Sequence, residues 1–222
     1  MYRMILPETL PDVVAAEAEA DARAFEADAA AARTRADYGR VSRWLWGLLG
    51  TAGTAIAMLL VAGAVNMATA GGAAIASALS ASILILVALV AGTPSGWLLL
   101  SLHRSGRRLA RAAGYWAALP HLQGLRAPRR GDWFAVRFLG FSADLFLRLT
   151  TSALAGLVAI FAASVGVRSV VIAAPAWELT LWLGWAVLFG TVCVGQFGGV
   201  QRIQNGHLAR DPQTASRVTR SR

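Results

Sequence analysis

The charged residues best placed to take part in chemistry are Asp144 and Arg148, which stand four positions apart in a largely apolar segment. Four residues make about one helical turn, so both side chains lie on one face of a helix. Because charges inside a membrane are costly, such residues pair with each other or face a water-filled cavity. The spacing predicts either an intramembrane ion pair near an interface, with Arg148 reaching towards water, or a path for an ion or substrate.

A second group is a stripe of guanidinium groups between the two apolar halves of the chain. Its members follow at helical spacing and line one face of a helix: Arg104, Arg107, Arg108 and Arg111. Apolar residues sit away from that face: Leu102, Leu109, Ala113 and Trp116. After Pro120 comes a second basic cluster, formed by Arg126, Arg129 and Arg130. These arginines predict binding to anionic lipid headgroups or to an acidic partner.

Residue types that carry enzyme chemistry are sparse and scattered. The three histidines, His103, His121 and His207, show no metal-ligand spacing, and the chain has no lysine for a phosphate-binding loop. No serine or cysteine stands in a recognised nucleophile motif with a partner histidine. We therefore predict a non-enzymatic protein with no cofactor, no metal and no catalytic residue.

The elements that carry these residues are long apolar helices. The segment 44–102 holds 59 residues and no charged side chain, which suits two membrane spans joined at Gly71 and Gly72. Within it, Pro94 predicts a kink in the second span, or its end. A second hairpin is predicted over 138–200. The fold class is therefore an all-α integral membrane protein with four transmembrane helices and an N-terminal cytoplasmic juxtamembrane helix.

The charged residues divide the chain into five segments. An acidic, Ala-rich arm (1–43) precedes hairpin 1 (44–102), and an Arg-rich helix and connector (103–137) leads into hairpin 2 (138–200) and a basic tail (201–222). Residues 8–28 carry a net charge of −6, and residues 103–137 carry a net charge of +7. Each basic block adjoins an apolar span, which favours membrane topology over nucleic-acid binding as its explanation.

Arginine counts near the spans predict the orientation. Residues 29–43 directly before span 1, the loop between spans 2 and 3, and the tail hold four, eight and five arginines, whereas the other two loops hold none and one. Arginines are retained on the cytoplasmic side. We expect a multi-pass protein of the cell membrane with both ends of the chain in the cytoplasm.

The arm has a helical composition from Asp12 to Gly39 but few bulky apolar residues. Arg33 and Asp37 stand four apart and predict an ion pair along the helix. Such a helix is either solvated and frayed, or it docks on a partner or on the chain's own basic segment.

Small residues recur every four positions within the spans. Three such files are Ala88, Gly92 and Gly96; Ala155, Ala159 and Ala163; and Thr191, Gly195 and Gly199. Small residues let helices approach closely, so these files predict packing within the four-helix unit or contact between copies.

Two functions follow as hypotheses. The first is a membrane subunit or scaffold that assembles through small-residue faces and complementary cytoplasmic charge, as a homo-oligomer or in a complex. The alternative is a small oligomeric channel or transporter with Asp144 and Arg148 in the translocation path.

Overall fold

The computed structural model describes residues 4–19, 25–70, 75–126 and 143–208, and every regular element in these ranges is helical. The α-helices are α1 (Leu10–Glu17), α2 (Ala27–Gly39), α3 (Val41–Thr69), α4 (Ile75–Leu122), α5 (Ala143–Val171) and α6 (Ala176–Leu208). The all-α prediction is confirmed. The arm, predicted as one helix, contains both α1 and α2, and residues 20–24 lie outside the described ranges.

Four of the helical stretches are long and apolar enough to cross a membrane, as predicted. The longest helix, α4, has 48 residues and therefore extends for about 72 Å, more than twice the ~30 Å of a bilayer core. It continues through Pro94 and joins the second apolar span to the arginine stripe. Span 2 and the stripe are thus one continuous helix.

The chain forms two compact units. Unit 1 contains Met1–Trp44, Ser101–Leu149 and Gln196–Arg222, and unit 2 contains Leu45–Leu100 and Thr150–Gly195. In the sequence of unit 2 only Arg168 and Glu178 are charged, so unit 1 carries the remaining charged residues and the whole net charge of +9.

Unit 2 has small side chains inside and large apolar ones outside. Ala62 and Ala162 are fully buried, whereas Val90, Val187 and Val194 are each about two-thirds exposed or more, between 66% and 73%. A protein folded in water has the opposite distribution at such contiguous faces. Contiguous apolar surfaces of this kind mark contacts with a membrane or with another protein.

Within unit 2, α3 and α4 approach closely at small residues. A Cβ on Gly92 would stand 2.9 Å from the Cβ of Ala57, and a Cβ on Gly50 would stand 3.0 Å from the side chain of Leu99. Gly53 lies directly against the Ser95 hydroxyl. The two helices can pack here only because glycine has no side chain.

Unit 1 has a core of its own, to which the arm contributes. Val13 from α1 is fully buried together with Leu109 and Trp116 from α4, Leu145 from α5 and Ile203 from α6. Leu109, Ala113 and Trp116, predicted to lie away from the arginine stripe, are all buried. The apolar face of this part of α4 therefore packs against the rest of unit 1.

Candidate functional site

The arm is anchored in unit 1 by Asp12 at the start of α1. Its backbone carbonyl accepts a hydrogen bond from the indole Nε1 of the buried Trp116 at 3.0 Å. Its carboxylate accepts two hydrogen bonds from Arg33 of α2, at 2.8 Å from Nε and 3.0 Å from Nη2. One residue thus joins α1 both to α4 and to α2.

Asp37 makes different contacts from those predicted. Arg33 pairs with Asp12 rather than with Asp37, so the predicted i,i+4 pair is wrong. Asp37 instead accepts a hydrogen bond from the Leu6 backbone N–H at 2.9 Å and forms an ion pair with Arg40 at 2.9 Å. Asp12 and Asp37 are both nearly fully buried, so both carboxylates need donors. Arg33 meets Asp12 because the start of α1 packs against α2.

Two acidic residues of the arm contact the basic segment. Glu17 pairs with Arg108 of the stripe at 3.4 Å. Asp28 accepts hydrogen bonds from both terminal nitrogens of Arg126, the nearer at 2.5 Å, and these raise the pKa of the Arg126 guanidinium. The sequence left open whether the arm is solvated, docks on a partner or docks on the chain's own basic segment. In the structure it docks on the chain's own basic segment.

Arg148 contacts the arm at Tyr38. Its Nη2 donates to the backbone carbonyl of Tyr38 at 2.6 Å, and its guanidinium carbon lies 4.4 Å from the centre of the tyrosine ring. The side chain of Asp144 lies outside the described residues, so the proposed pair with Arg148 stays a prediction. The known contacts of Arg148 hold the arm, which a residue lining a translocation path need not do.

Arg43, which the sequence did not single out, is buried at the start of α3. It donates to the backbone carbonyls of Met4 and Leu102 and to the hydroxyl of Ser105 at 2.8 Å. Arg43 as a whole is only 6% exposed, and these acceptors satisfy its guanidinium group. Arg43 therefore ties the arm and α4 to the start of α3.

The stripe divides into paired and exposed members. Arg108 is half-buried beside Glu17, while Arg104, Arg107 and Arg111 are exposed. Arg129 and Arg130 of the second cluster lie outside the described residues. The docked arm therefore leaves most of the stripe accessible to an anion.

The small-residue files lie at contacts between helices of this chain. Ala88 is buried and Gly92 packs on Ala57, whereas a Cβ on Gly96 would meet nothing within 4 Å. A Cβ on Gly190 would lie 3.9 Å from Ala159, which connects the second file to α6. Ala155 is buried, Ala163 and Gly195 are half-buried, and Thr191 is exposed. Most members thus serve internal packing.

Gly199, from the third file, belongs to unit 1. It lies directly against the hydroxyl of Tyr38, so the glycine makes room for the arm's tyrosine. A second close approach joins Gly114 of α4 to the later part of α6. A Cβ on Gly114 would stand 2.7 Å from the backbone oxygen of Arg202, and a Cβ on Gly206 would stand 2.5 Å from the Cα of Gly114. The backbones of α4 and α6 are therefore in direct contact within unit 1.

The contact between α4 and α6 adds a residue that the sequence did not indicate. Arg202 was assigned to a basic tail, but α6 continues to Leu208 and carries Arg202 against α4. The only sequence signal for this contact is the pair of glycines, Gly114 and Gly206, which stand 92 positions apart. No local pattern connects them.

The described residues of unit 1 leave Arg104, Arg107 and Arg111 exposed and hold α1, α2, α4 and α6 together. Within 4–19, 25–70, 75–126 and 143–208, no three histidine, cysteine, aspartate or glutamate residues come together as metal ligands. No protein-family profile, curated protein or solved structure matches the chain.

Proposed function

We propose that this chain is a non-enzymatic, multi-pass subunit or scaffold of the cell membrane that presents a helical platform on its cytoplasmic side. The platform is unit 1, with both ends of the chain in the cytoplasm. The observation that carries the proposal is the segregation of charge between the two units. Unit 1 has a net charge of +9, whereas unit 2 has only Arg168 and Glu178 as charged residues. Arginine-rich segments stay on the cytoplasmic side during insertion.

Membrane insertion is supported by the outward-facing valines and leucines of unit 2. Four apolar helices with exposed large side chains and buried alanines suit lipid as the surrounding solvent. Reporter tags fused to the two ends, together with one placed at 71–74, test the orientation. The proposal expects both ends to be protected in right-side-out vesicles and the loop to be accessible; ends on opposite faces would overturn it.

Assembly through complementary charge is supported by the arm's contacts with the basic segment. Glu17 pairs with Arg108 and Asp28 pairs with Arg126, so acidic groups of the arm meet basic groups of the neighbouring segment. The same contacts can form within one chain or between neighbouring chains. In a trans arrangement, the arm of one copy would occupy the basic segment of the next.

A cross-linking experiment separates the cis and trans arrangements. Glu17→Cys and Arg108→Cys are introduced into one chain that also carries Cys193→Ala, and a short bismaleimide is added to native membranes. A cross-linked monomer indicates docking in cis, and a cross-linked dimer indicates trans assembly. The matched control pairs Glu17→Cys with Arg168→Cys in unit 2. Because the two cysteines replace the charged groups, the experiment reports whether the arm lies on the stripe. If the Glu17–Arg108 pair cross-links no better than this control, docking of the arm at that position is rejected.

The scaffold proposal draws more support than a channel or transporter because of Arg148. Its contacts with Tyr38 assign it to holding the arm. Flux through liposomes that is lost in both Asp144→Asn and Arg148→Lys, while the arm stays docked, would reverse this preference.

A further inference from the structure

We propose that Arg107 and Arg111 of α4 and Arg202 of α6 form a binding site for a phosphate group. All three belong to unit 1. The site deepens the proposed function, because its occupant is either a phosphate-bearing lipid headgroup or a soluble phosphate compound. Only the first of these sources rests on the proposed membrane location.

The first step is the contact between the two helices. At Gly114 and Gly206 the backbones of α4 and α6 touch, and Arg202 lies one turn before Gly206. Arg111 and Arg107 lie about one and two turns before Gly114. The two helices run in the same direction at this contact. Tyr38 lies beside both Gly106 and Gly199. Further along each helix, Gly114 lies beside Gly206. Since side chains on a helix lean towards its N-terminus, the three arginine side chains lean the same way from this contact.

The second step is the direction of Arg202. Its Nη1 lies only 3.3 Å from where a Cβ of Gly198 would stand, so the side chain folds back along α6 over a residue without a side chain. Burial and then the positive charges of Arg107 and Arg111 lower the pKa of the Arg202 guanidinium. Burial and then the charges of Arg107 and Arg202 lower the pKa of His103. Three guanidinium groups and an imidazole therefore share one region.

The third step is the charge balance. None of Arg107, Arg111 and Arg202 forms an ion pair with a carboxylate of the described residues, whereas Arg33, Arg40, Arg108 and Arg126 each do. Arg107 and Arg111 are exposed, and Arg202 is half-buried. Like charges held together by a backbone contact repel, and a bound anion relieves that repulsion. The arm thus supplies acids to other arginines and leaves this cluster for an external ligand.

The fourth step is the choice of anion. A guanidinium presents a planar fork of N–H donors that matches phosphate oxygens, and a tetrahedral phosphate can accept from several forks at once. A phosphomonoester also carries close to two negative charges, which suits three converging cations better than a single carboxylate does. The site therefore favours a terminal phosphate over a phosphodiester or a carboxylate.

The test uses the full-length chain in a neutral detergent. Native mass spectrometry measures retention of phosphatidic acid against phosphatidylcholine with the same acyl chains, and thermal stabilisation measures binding of inorganic pyrophosphate. The variants are Arg202→Gln and Arg107→Gln, and the matched control is Arg35→Gln, which removes the same charge from α2 of unit 1. Circular dichroism establishes that each variant is folded, and the exposed Arg107→Gln stands in if Arg202→Gln does not fold.

The expected result is selective binding of at least one probe, weakened about tenfold or more in Arg107→Gln and Arg202→Gln and changed less than about twofold in the control. Dependence seen with phosphatidic acid alone identifies a lipid headgroup, and dependence seen with pyrophosphate identifies a soluble ligand. Equal losses in all three variants indicate general charge attraction and overturn the site, as does failure of both probes to bind. The topology tags report separately on the scaffold proposal, so the two can fail independently.

Discussion

The indole N–H of Trp116 donates to the backbone carbonyl of Asp12 at 3.0 Å, across 104 positions of the chain. Both residues are buried, and the contact joins the arm to the segment that carries the arginine stripe. This hydrogen bond, the packing around it and the ion pairs of Asp12 and Glu17 hold a helix that would fray in water.

Replacing Trp116 with phenylalanine removes the donor while keeping an aromatic ring in the core. The carbonyl of Asp12 then lacks its partner, which costs about 1–3 kcal/mol. We expect faster hydrogen exchange in α1 and easier proteolysis of the arm. Trp97→Phe, at an exposed position of unit 2, serves as the control and should leave both unchanged. Unchanged exchange in α1 of Trp116→Phe would show that packing alone holds the arm.

The ion pairs of the arm should differ in strength according to burial. Asp12 is 5% exposed at its side chain and takes two hydrogen bonds from Arg33, whereas Glu17 and Arg108 are 43% and 33% exposed. A double-mutant cycle on Asp12→Asn and Arg33→Gln should give a coupling of about 1–2 kcal/mol after solvent screening, and one on Glu17→Gln and Arg108→Gln about 0–1 kcal/mol. The measurement is thermal or denaturant unfolding followed at the arm. A larger coupling for the second pair contradicts the ranking.

The contact between α4 and α6 should not tolerate a methyl group at Gly206. A Cβ there would stand 2.5 Å from the Cα of Gly114, so Gly206→Ala must separate two backbones, at a cost of about 1–3 kcal/mol. Gly106→Ala is the matched control, because its Cβ meets only side-chain atoms at 3.7 Å or more. That change should be neutral or stabilise α4 by up to about 1 kcal/mol, since alanine favours helices. Hydrogen exchange in the last turns of α6 reports the difference.

A parallel comparison applies to α4 within unit 2. Gly92→Ala would place a Cβ 2.9 Å from Ala57, whereas Gly96→Ala meets nothing within 4 Å. We expect Gly92→Ala to lower the thermal unfolding temperature of the full chain in detergent and Gly96→Ala to leave it unchanged. If Gly96→Ala instead alters the size of the detergent-solubilised complex, the open face at Gly96 is a contact between copies.

Local patterns in the sequence determined the elements. Apolar runs of sufficient length predicted four long helices, and the spacing of Leu109, Ala113 and Trp116 correctly separated the buried face of α4 from its arginines. These features depend on composition and on the helical repeat, which any stretch of sequence displays by itself. The concentration of charge outside the spans was equally readable, because it needs only a count.

Only the tertiary structure decided which residues contact each other across helices. Arg33 stands four positions from Asp37, yet it binds Asp12, because folding brings the start of α1 against α2. Arg202 lies against α4 because two glycines far apart in sequence, Gly114 and Gly206, let α4 and α6 touch. Such contacts depend on where whole helices pack, so no local periodicity encodes them: the sequence determines which residues share a helix face, and packing determines what that face meets.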